Sequence, residues 1–332
     1  MNLFFRKVFL FLLILITPGL ILISLYIYSD PFRVVKKYEV WDDSPVPLNR
    51  DYVSTELFLK NKDIYHYNSF VFGSSRSISF GANSWKNHLD KTARPFKFDA
   101  SGEGLVGIYQ KIKFLDGQHC KLDNVLILLC RDAFDFTKNN GRHLVIKHPA
   151  TSGESWIKFH FTFLKAFFNF KFLLGYYSFI ISGKESILTH GIVQENSVSL
   201  TNKTNQLKLD VLENSLKKDS KKYYLDRKEL FYDRKGESYM VRNMIKEKQF
   251  KMLSEISEIL QKNKTKYRII LTPLYDEIKF SPQDKRILTE IFGNNLYDFT
   301  GCNFITMNIT NWYETDHYRP FVADSMMNII YK

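Results

Sequence analysis

Apolar residues run without a charge through the first part of the chain. Residues 8–29 contain no charged side chain, and residues 8–28 would span about 30 Å as a helix, the thickness of a bilayer core. Arg6 and Lys7 precede this run, and Tyr26 and Tyr28 close it, as aromatic residues at membrane interfaces often do. We therefore predict that residues 1–29 form a membrane anchor with a single spanning helix.

A cleaved signal peptide is the alternative to an anchor. The apolar region of a signal peptide is shorter and ends in small residues at an A-x-A-like site. The run here ends in Tyr26-Ile27-Tyr28-Ser29-Asp30 with no such site, which favours an uncleaved anchor. Basic residues flank both ends of the run, so charge counting does not decide the orientation of the helix. No other segment has about 18 uncharged apolar residues, so we expect the rest of the chain on one side of the membrane.

Short apolar runs alternate with helical patterns after the anchor. The runs predicted as strands are 69–72, 96–98, 125–130, 267–272 and 304–307. The predicted helices include one with Leu105, Ile108, Ile112 and Leu115 on its inner face, a long one at about 237–261 with Met240, Met244, Met252, Leu253, Ile256 and Leu260 inward, and a C-terminal one at about 319–331. Strands that alternate with helices predict an α/β fold with a parallel sheet and helices on both faces.

Residues 136–235 do not show this alternation of strands and helices. In the first half, Lys158, Lys165 and Lys171 interleave with aromatic residues, and the second half is polar and rich in lysine. We predict that 136–235 is a helical insertion or cap between the two parts of the main domain, 30–135 and 236–332. Its aromatic residues either form a small core or provide a surface for a membrane or a partner.

Composition excludes several classes of protein. The 332 residues are 45% hydrophobic, enough to fill a core, and the mean hydropathy of −0.24 excludes a polytopic membrane protein. Three cysteines are too few for a disulfide scaffold, and Cys120, Cys130 and Cys302 lack the spacing of zinc ligands. We expect no metal and no other cofactor. The net charge of +12 suits an anionic membrane surface or acidic glycans. We expect no nucleic-acid partner, because no binding motif is present.

Candidate catalytic residues occur at two places. Gly73-Ser74-Ser75 ends the first predicted strand, and ligands of open α/β sheets bind at the carboxyl ends of strands. A serine nucleophile needs a base. The segment Glu314-Thr315-Asp316-His317 supplies an imidazole, with an acid three residues before it that can orient the ring.

These two blocks resemble those of the SGNH/GDSL hydrolase-like superfamily. The closest resemblance is to its membrane-anchored members in polysaccharide-modification systems, such as alginate O-acetyltransferase and D-alanyl-lipoteichoic acid biosynthesis proteins. The resemblance implies a three-layer, flavodoxin-like fold, Ser75 as nucleophile and His317 as base. It also implies an oxyanion hole formed by the amides of Ser75 and Gly102, with Gly104 as the alternative.

The chain departs from the family pattern at two positions. Glu314 stands where the triad acid is usually Asp, and Asp316 is the alternative acid. The Gly-x-Asn block expected after the third strand is absent, and the chain continues with Arg131 instead. We predict that Arg76 and Arg131, which lie beside these blocks, contact the substrate.

The resemblance implies an acyl-transfer enzyme. Ser75 would take an acyl group and pass it to a sugar hydroxyl of a polysaccharide, or to water in an esterase. A membrane-bound O-acyltransferase would supply the acyl group. The protein would be a single-pass protein of the bacterial inner (cytoplasmic) membrane with its catalytic domain on the periplasmic side. The alternative is an inactive SGNH-like protein that binds glycan or assembles a polysaccharide-modification complex. A nucleotide-binding flavodoxin-like protein is disfavoured, because no strand is followed by GxGxxG or a P-loop.

Overall fold

The computed structural model describes residues 3–42, 44–139, 141–194, 199–234 and 236–332. Its strands, in chain order, are β1 Ser69–Phe72, β2 Pro95–Lys97, β3 Asn124–Leu129, β4 Ser199–Thr201, β5 Gln206–Lys208, β6 Ser238–Tyr239, β7 Lys266–Leu271, β8 Ile278–Lys279, β9 Leu296–Asp298, β10 Trp312–Glu314 and β11 His317–Tyr318. Within the described residues, five of them form a parallel sheet in the order β2-β1-β3-β7-β9. The pairs β4–β5 and β10–β11 are antiparallel, and β6–β8 is a short parallel pair.

Helices cover both faces of this sheet. In chain order they are α1 Leu3–Ser29, α2 Arg50–Tyr65, α3 Ala82–Lys86, α4 Leu105–Gly117, α5 Pro149–Ser152, α6 Trp156–Phe167, α7 Phe170–Ser182, α8 Asp210–Lys218, α9 Ser220–Asp226, α10 Glu247–Lys262, α11 Pro282–Phe292 and α12 Pro320–Ile330. Side chains of α2, α4, α10 and α11 share one core, and those of α3 and α12 share the other. The chain is therefore an α/β protein with a parallel sheet between two helical layers, as predicted.

The two cores follow from the alternation of side chains along each strand. In β1, Phe70 and Phe72 join the core under α2 and α4, whereas Val71 joins the core under α12. All three side chains are fully buried. Because both faces of the sheet are covered, β1 and β3 are continuous apolar runs in the sequence, and this pattern made them predictable.

The hairpin β4–β5 protects the edge strand β2. The Lys97 amide donates to the Thr204 carbonyl at 3.0 Å, and the Asn205 side-chain amide donates to the Lys97 carbonyl. An uncovered edge would leave these backbone groups free to pair with another chain. The predicted insertion thus supplies part of the sheet's protection.

The predicted strand at 304–307 is wrong. Residues 304–306 form a turn, and the fifth strand of the sheet is β9, Leu296–Asp298. Phe304 and Met307 are exposed, and the Asn303 side chain accepts the Ile305 amide at 2.8 Å. A side chain that bonds the nearby backbone in this way favours a turn over a strand.

The long helix predicted at 237–261 begins later, at Glu247 of α10. Upstream, β6 pairs with β8, and the amides of Met244 and Ile245 donate to the Asp284 carboxylate at 2.7 and 3.0 Å. These long-range bonds hold the segment before α10 in a non-helical conformation. The predicted C-terminal helix is confirmed as α12, and Leu105, Ile108, Ile112 and Leu115 of α4 are fully buried as predicted.

The N-terminal helix α1 is, within the described residues, the one helix long and apolar enough to cross a membrane. The most apolar stretch of 18 residues within Phe4–Ser29 has a mean hydropathy of 2.8. At its C-terminal end Tyr26 is buried, with its ring 5.3 Å from the ring of Phe167 in α6. The buried aromatic residues of α6 and α7 therefore pack around the end of α1 and belong to the main core, not to a separate one.

Candidate active site

Ser75 lies in the turn that follows β1, the second strand of the sheet. A 3₁₀ helix, Ser75–Ser79, begins at this residue, and the Ser75 side chain is half-buried. Gly73 allows the turn between strand and helix to pass close to β3. A Cβ atom at Gly73 would lie 2.9 Å from the Cβ atom of Leu128, a separation that real side chains do not adopt. The glycine thus lets the chain deliver Ser75 to the carboxyl end of the sheet.

Glu314 and His317 face each other across the hairpin β10–β11. They are paired residues of the antiparallel ladder, and Thr315 and Asp316 form the connection between them. Residues directly opposite in such a ladder have side chains on the same face. The three-residue spacing in the sequence is thus the signature of a two-residue hairpin, which places acid and imidazole side by side.

The three side chains form a continuous chain of hydrogen bonds. His317 Nε2 lies 2.8 Å from Ser75 Oγ, and His317 Nδ1 is hydrogen-bonded to Glu314 Oε1. The side chains of His317 and Glu314 are 26% and 27% exposed, so the group is partly shielded but open to a substrate. A hydroxyl, a base and an orienting acid in this order are the arrangement required for nucleophilic catalysis by serine.

Electrostatics keep the Glu314 carboxyl ionised. Burial raises its pKa, but the hydrogen bond and charge of His317, the hydrogen bond from the Asp316 amide and the nearby Arg76 together hold the pKa below its usual value. An ionised carboxylate accepts the Nδ1 proton of His317 and leaves Nε2 free to accept the hydrogen of Ser75. The Asp316 carboxylate, the alternative acid, instead lies 3.2 Å from Arg76 Nη2.

The two candidate glycines of the oxyanion hole lie in different environments. The Ala100 amide donates to the Gly73 carbonyl at 3.2 Å. Ser75 lies two residues after Gly73, and Gly102 lies two residues after Ala100, so this bond holds the two loops together. Gly102 is exposed and has φ +57°, a conformation that favours glycine. Gly104 is buried, and a Cβ atom there would lie 2.4 Å from the Cβ atom of Phe136. Gly102 is therefore the more accessible of the two.

Arg76 and Arg131 are largely buried and paired with carboxylates. Arg76 Nη2 lies 3.7 Å from Asp132 Oδ2 as well as close to Asp316, and Arg131 is paired with Asp276. The two guanidinium groups link the loops that follow different strands of the sheet. Their contact with a substrate stays a prediction.

A buried group of charges lies beneath the turn that carries Ser75, and the sequence did not reveal it. Ser77 Oγ donates to Asp99 Oδ2 at 2.8 Å, and Arg50 Nη2 donates to Asp99 Oδ1 at 2.9 Å. Burial raises the pKa of Asp99, but Arg50 and Lys97 together lower it below its usual value. Lys97 is fully buried, and its ammonium group donates to the carbonyls of Ser77 and Phe80. These contacts hold the 3₁₀ helix in place.

A second buried set of charges adjoins the first. Lys111 Nζ lies 2.9 Å from Asp51 Oδ2 and 2.6 Å from Glu103 Oε2, and Lys147 contacts the same two carboxylates. Burial raises the pKa of Asp51, but the charges of the two lysines lower it well below its usual value. Glu103 and Lys111 are eight residues apart, but Asp51 and Lys147 are distant from them in the sequence, so no local spacing could have revealed the whole set.

Helices α8 and α9 of the insertion hold the hairpin β10–β11 in place through hydrogen bonds. The hydroxyls of Tyr223 and Tyr224 donate to the carbonyls of Tyr313 and Trp312 at 3.0 and 2.9 Å. Glu213 accepts the Tyr313 hydroxyl at 2.7 Å and pairs with Arg319, which follows the hairpin. The lysine-rich half of the insertion therefore supports His317, a role that its composition did not suggest.

The described residues contain no group of three His, Cys, Asp or Glu side chains arranged to hold a metal ion. Comparisons with known proteins add no assignment for this site: no family model matches the chain, and no curated protein matches it significantly. The arrangement of Ser75, His317 and Glu314 is therefore the basis for a functional conclusion.

Proposed function

We propose that the chain is a membrane-anchored serine acyltransferase or esterase of the SGNH type. The observation that carries this proposal is the 2.8 Å contact between Ser75 Oγ and His317 Nε2, with Glu314 on the other ring nitrogen. Its substrates would be an acyl donor and the hydroxyl groups of a cell-surface or exported polysaccharide.

The first half of the reaction acylates Ser75. Ser75 Oγ attacks the carbonyl carbon of the donor while His317 Nε2 takes the hydroxyl proton. The negative charge that forms on the carbonyl oxygen is stabilised by backbone amides, for which those of Ser75 and Gly102 are the candidates. The intermediate then collapses, and the leaving oxygen receives the proton from His317. The product of this half is an acyl ester on Ser75.

The second half transfers the acyl group. A sugar hydroxyl approaches the ester, and His317 removes its proton as the new bond forms. Ser75 Oγ leaves and regains a proton from His317, which restores the site. With water in place of the sugar, the same residues perform hydrolysis, so the acceptor alone separates transferase from esterase.

The burial of Tyr26 supports an uncleaved anchor over a signal peptide. This residue lies inside the uncharged part of α1, yet it is part of the main core of the domain. Cleavage after the apolar run would remove Tyr26 and expose Phe167, its aromatic neighbour. We propose that α1 holds the domain at the periplasmic face of the bacterial inner membrane, beside a membrane-bound O-acyltransferase that supplies acyl groups.

Labelling with a fluorophosphonate tests the proposed nucleophile. The full chain in detergent is treated with a fluorescent fluorophosphonate, and the labelled residue is identified by mass spectrometry. We expect labelling at Ser75 that is lost in Ser75→Ala and in His317→Ala. Ser74→Ala is the matched control, because its hydroxyl is buried beside Cys130 and does not contact His317.

A folded wild-type chain that is not labelled, and that releases no acetate from p-nitrophenyl acetate, would contradict an independently active serine enzyme. The inactive binding or assembly protein would then be the better account. Circular dichroism of each variant establishes that a loss of labelling reflects chemistry and not unfolding.

A further inference from the structure

The helices α6 and α7 carry apolar side chains on their outward faces as well as on their inward ones. In α6, Phe159, Phe163 and Phe167 are fully buried, whereas Ile157 and Phe161 are exposed. Exposed apolar residues on an isolated helix face mark a contact with a partner or a membrane.

The exposed residues form one stripe on each helix. In α6 the stripe is Ile157, Phe161 and Phe168 at the helix end, and in α7 it is Phe170, Leu174 and Ile181. Both stripes have the spacing i, i+4, i+11, which keeps side chains on the same side of a helix. The buried residues of each helix lie on the opposite side, so each helix has two apolar faces, and the domain core covers only one of them.

The position of the stripes is set by α1. Tyr26 of α1 packs against Phe167, and Phe32, just after α1, packs against Phe163 and Phe172 with ring centres 5.5 and 4.8 Å apart. The corner between α6 and α7 therefore lies at the point where α1 enters the domain. Any bilayer that α1 spans ends close to this corner.

The depth of this contact matches that of a helix lying in a membrane interface. Tyr26 precedes Asp30, the first charged residue after α1, by about 6 Å along the helix axis. Interfacial helices bury their apolar faces about 5–10 Å below the headgroups. Because Tyr26 contacts Phe167, the residue before Phe168, the α6–α7 corner would lie within this depth.

Basic residues border the apolar stripes. Lys158 and Lys165 lie beside the stripe of α6, and Lys171 and Lys184 lie at the two ends of α7; all four are exposed. Lysine side chains next to buried apolar residues can extend to lipid phosphates. Trp156, half exposed at the start of α6, is also typical of an interfacial position.

We infer that α6 and α7 lie in the membrane interface beside α1, with the two stripes in contact with lipid. This surface, defined by Ile157, Phe161, Phe168, Phe170, Leu174 and Ile181, is termed the lipid stripe. It would fix the orientation of the domain above the membrane, which a single flexible anchor does not do. The inference rests on the anchor but is independent of the chemistry at Ser75.

Environment-sensitive probes test the inference in the full chain. Single cysteines are introduced as Ile157→Cys, Phe161→Cys and Ile181→Cys in a background with Cys120 and Cys302 replaced by serine, and are labelled with NBD. The protein is reconstituted in lipid nanodiscs that contain no other protein. We expect blue-shifted NBD emission at each position and quenching by lipids with a doxyl group near the headgroup.

Two controls make the result decisive. Val241→Cys provides an equally exposed apolar position away from α1, and its emission should match that of NBD in water, without quenching. Leu15→Cys, in the middle of α1, reports insertion of the anchor itself and should be quenched by deep doxyl groups.

Probes on the lipid stripe that behave like Val241→Cys, with Leu15→Cys quenched, would overturn the inference and assign the stripe to a protein partner. Absence of quenching at Leu15→Cys would instead overturn the anchor and the inference together. Neither result depends on fluorophosphonate labelling, so failure of the proposed reaction is detected separately.

Discussion

Glu314 and His317 are opposite partners in a two-residue hairpin, and their side chains meet on the face that Ser75 approaches. The backbone of the hairpin holds acid and base together before any substrate arrives. Such preorganisation is what lets a weak nucleophile such as a serine hydroxyl react. The glutamate side chain is long enough to reach across the ladder to His317.

Glu314→Gln should slow acylation without unfolding the protein. The amide keeps the size of the side chain but removes the charge that fixes the tautomer of His317 and stabilises its protonated form. We expect the rate of fluorophosphonate labelling to fall by a factor on the order of 10²–10⁴. Asp316→Asn is the control, because its carboxylate contacts Arg76 and not the imidazole. A larger loss in Asp316→Asn than in Glu314→Gln would reassign the acid.

Gly73→Ala should destabilise the protein and disturb the turn that carries Ser75. The added methyl group would lie 2.9 Å from the Cβ atom of Leu128, so β1 and β3 must separate. Overpacking of this kind costs about 1–3 kcal/mol, measured as the change in the free energy of unfolding in urea. Gly117→Ala at the end of α4, where no atom lies within 4 Å of the new methyl group, should not destabilise. Equal effects of the two substitutions would refute this explanation.

The buried charges predict a specific loss of stability in acid. Asp51 and Asp99 have pKa values below the ordinary value near 4, so the folded state binds fewer protons than the unfolded chain as the pH falls through about 4. Their contribution to stability is therefore full above that pH and is lost below it. Thermal unfolding between pH 7 and pH 3 should show a steep decrease in Tm at the acid end.

Asp51→Asn should lower stability at neutral pH by about 3–5 kcal/mol, because it leaves Lys111 and Lys147 with a single buried carboxylate partner. The same variant should show a shallower decrease in Tm between pH 5 and pH 3. Asp116→Asn, which breaks a pair with the exposed Lys262, is the control and should cost less than about 1 kcal/mol. An unchanged acid slope in Asp51→Asn would argue against this account of the buried charges.

Two phenylalanines of α6 should respond differently to truncation. Phe163 is fully buried with its ring against that of Phe32, so Phe163→Ala should cost about 3–5 kcal/mol in the free energy of unfolding. Phe161 is exposed on the side of α6 that faces away from the core. Phe161→Ala should therefore change the free energy of unfolding by less than about 0.5 kcal/mol in detergent. Urea unfolding followed by far-UV circular dichroism measures both. Similar costs would mean that the core side of α6 is assigned incorrectly.

The predictions from sequence succeeded where the signal was local. The strand at 125–130 and the buried face of α4 were found because the burial of a strand or helix produces a local pattern of apolar residues in its own sequence. The spacing of Glu314 and His317 was equally local. The strand predicted at 304–307 was wrong because a run of apolar residues does not reveal that the Asn303 side chain accepts a hydrogen bond from the Ile305 amide, which stabilises a turn.

The N-terminal apolar helix, most strands of the parallel sheet and the candidate catalytic residues were therefore predictable from local sequence patterns. Which residues meet in space depends on the fold as a whole. Ser75 and His317 are separated by 242 positions. The ion pair of Arg50 with Asp99 beneath Ser75 spans 49 positions, and the bond from Tyr224 of α9 to the hairpin spans 88. The reason is physical: local periodicity depends on a few neighbouring residues, whereas burial of a charge or an aromatic ring depends on what the whole fold brings against it.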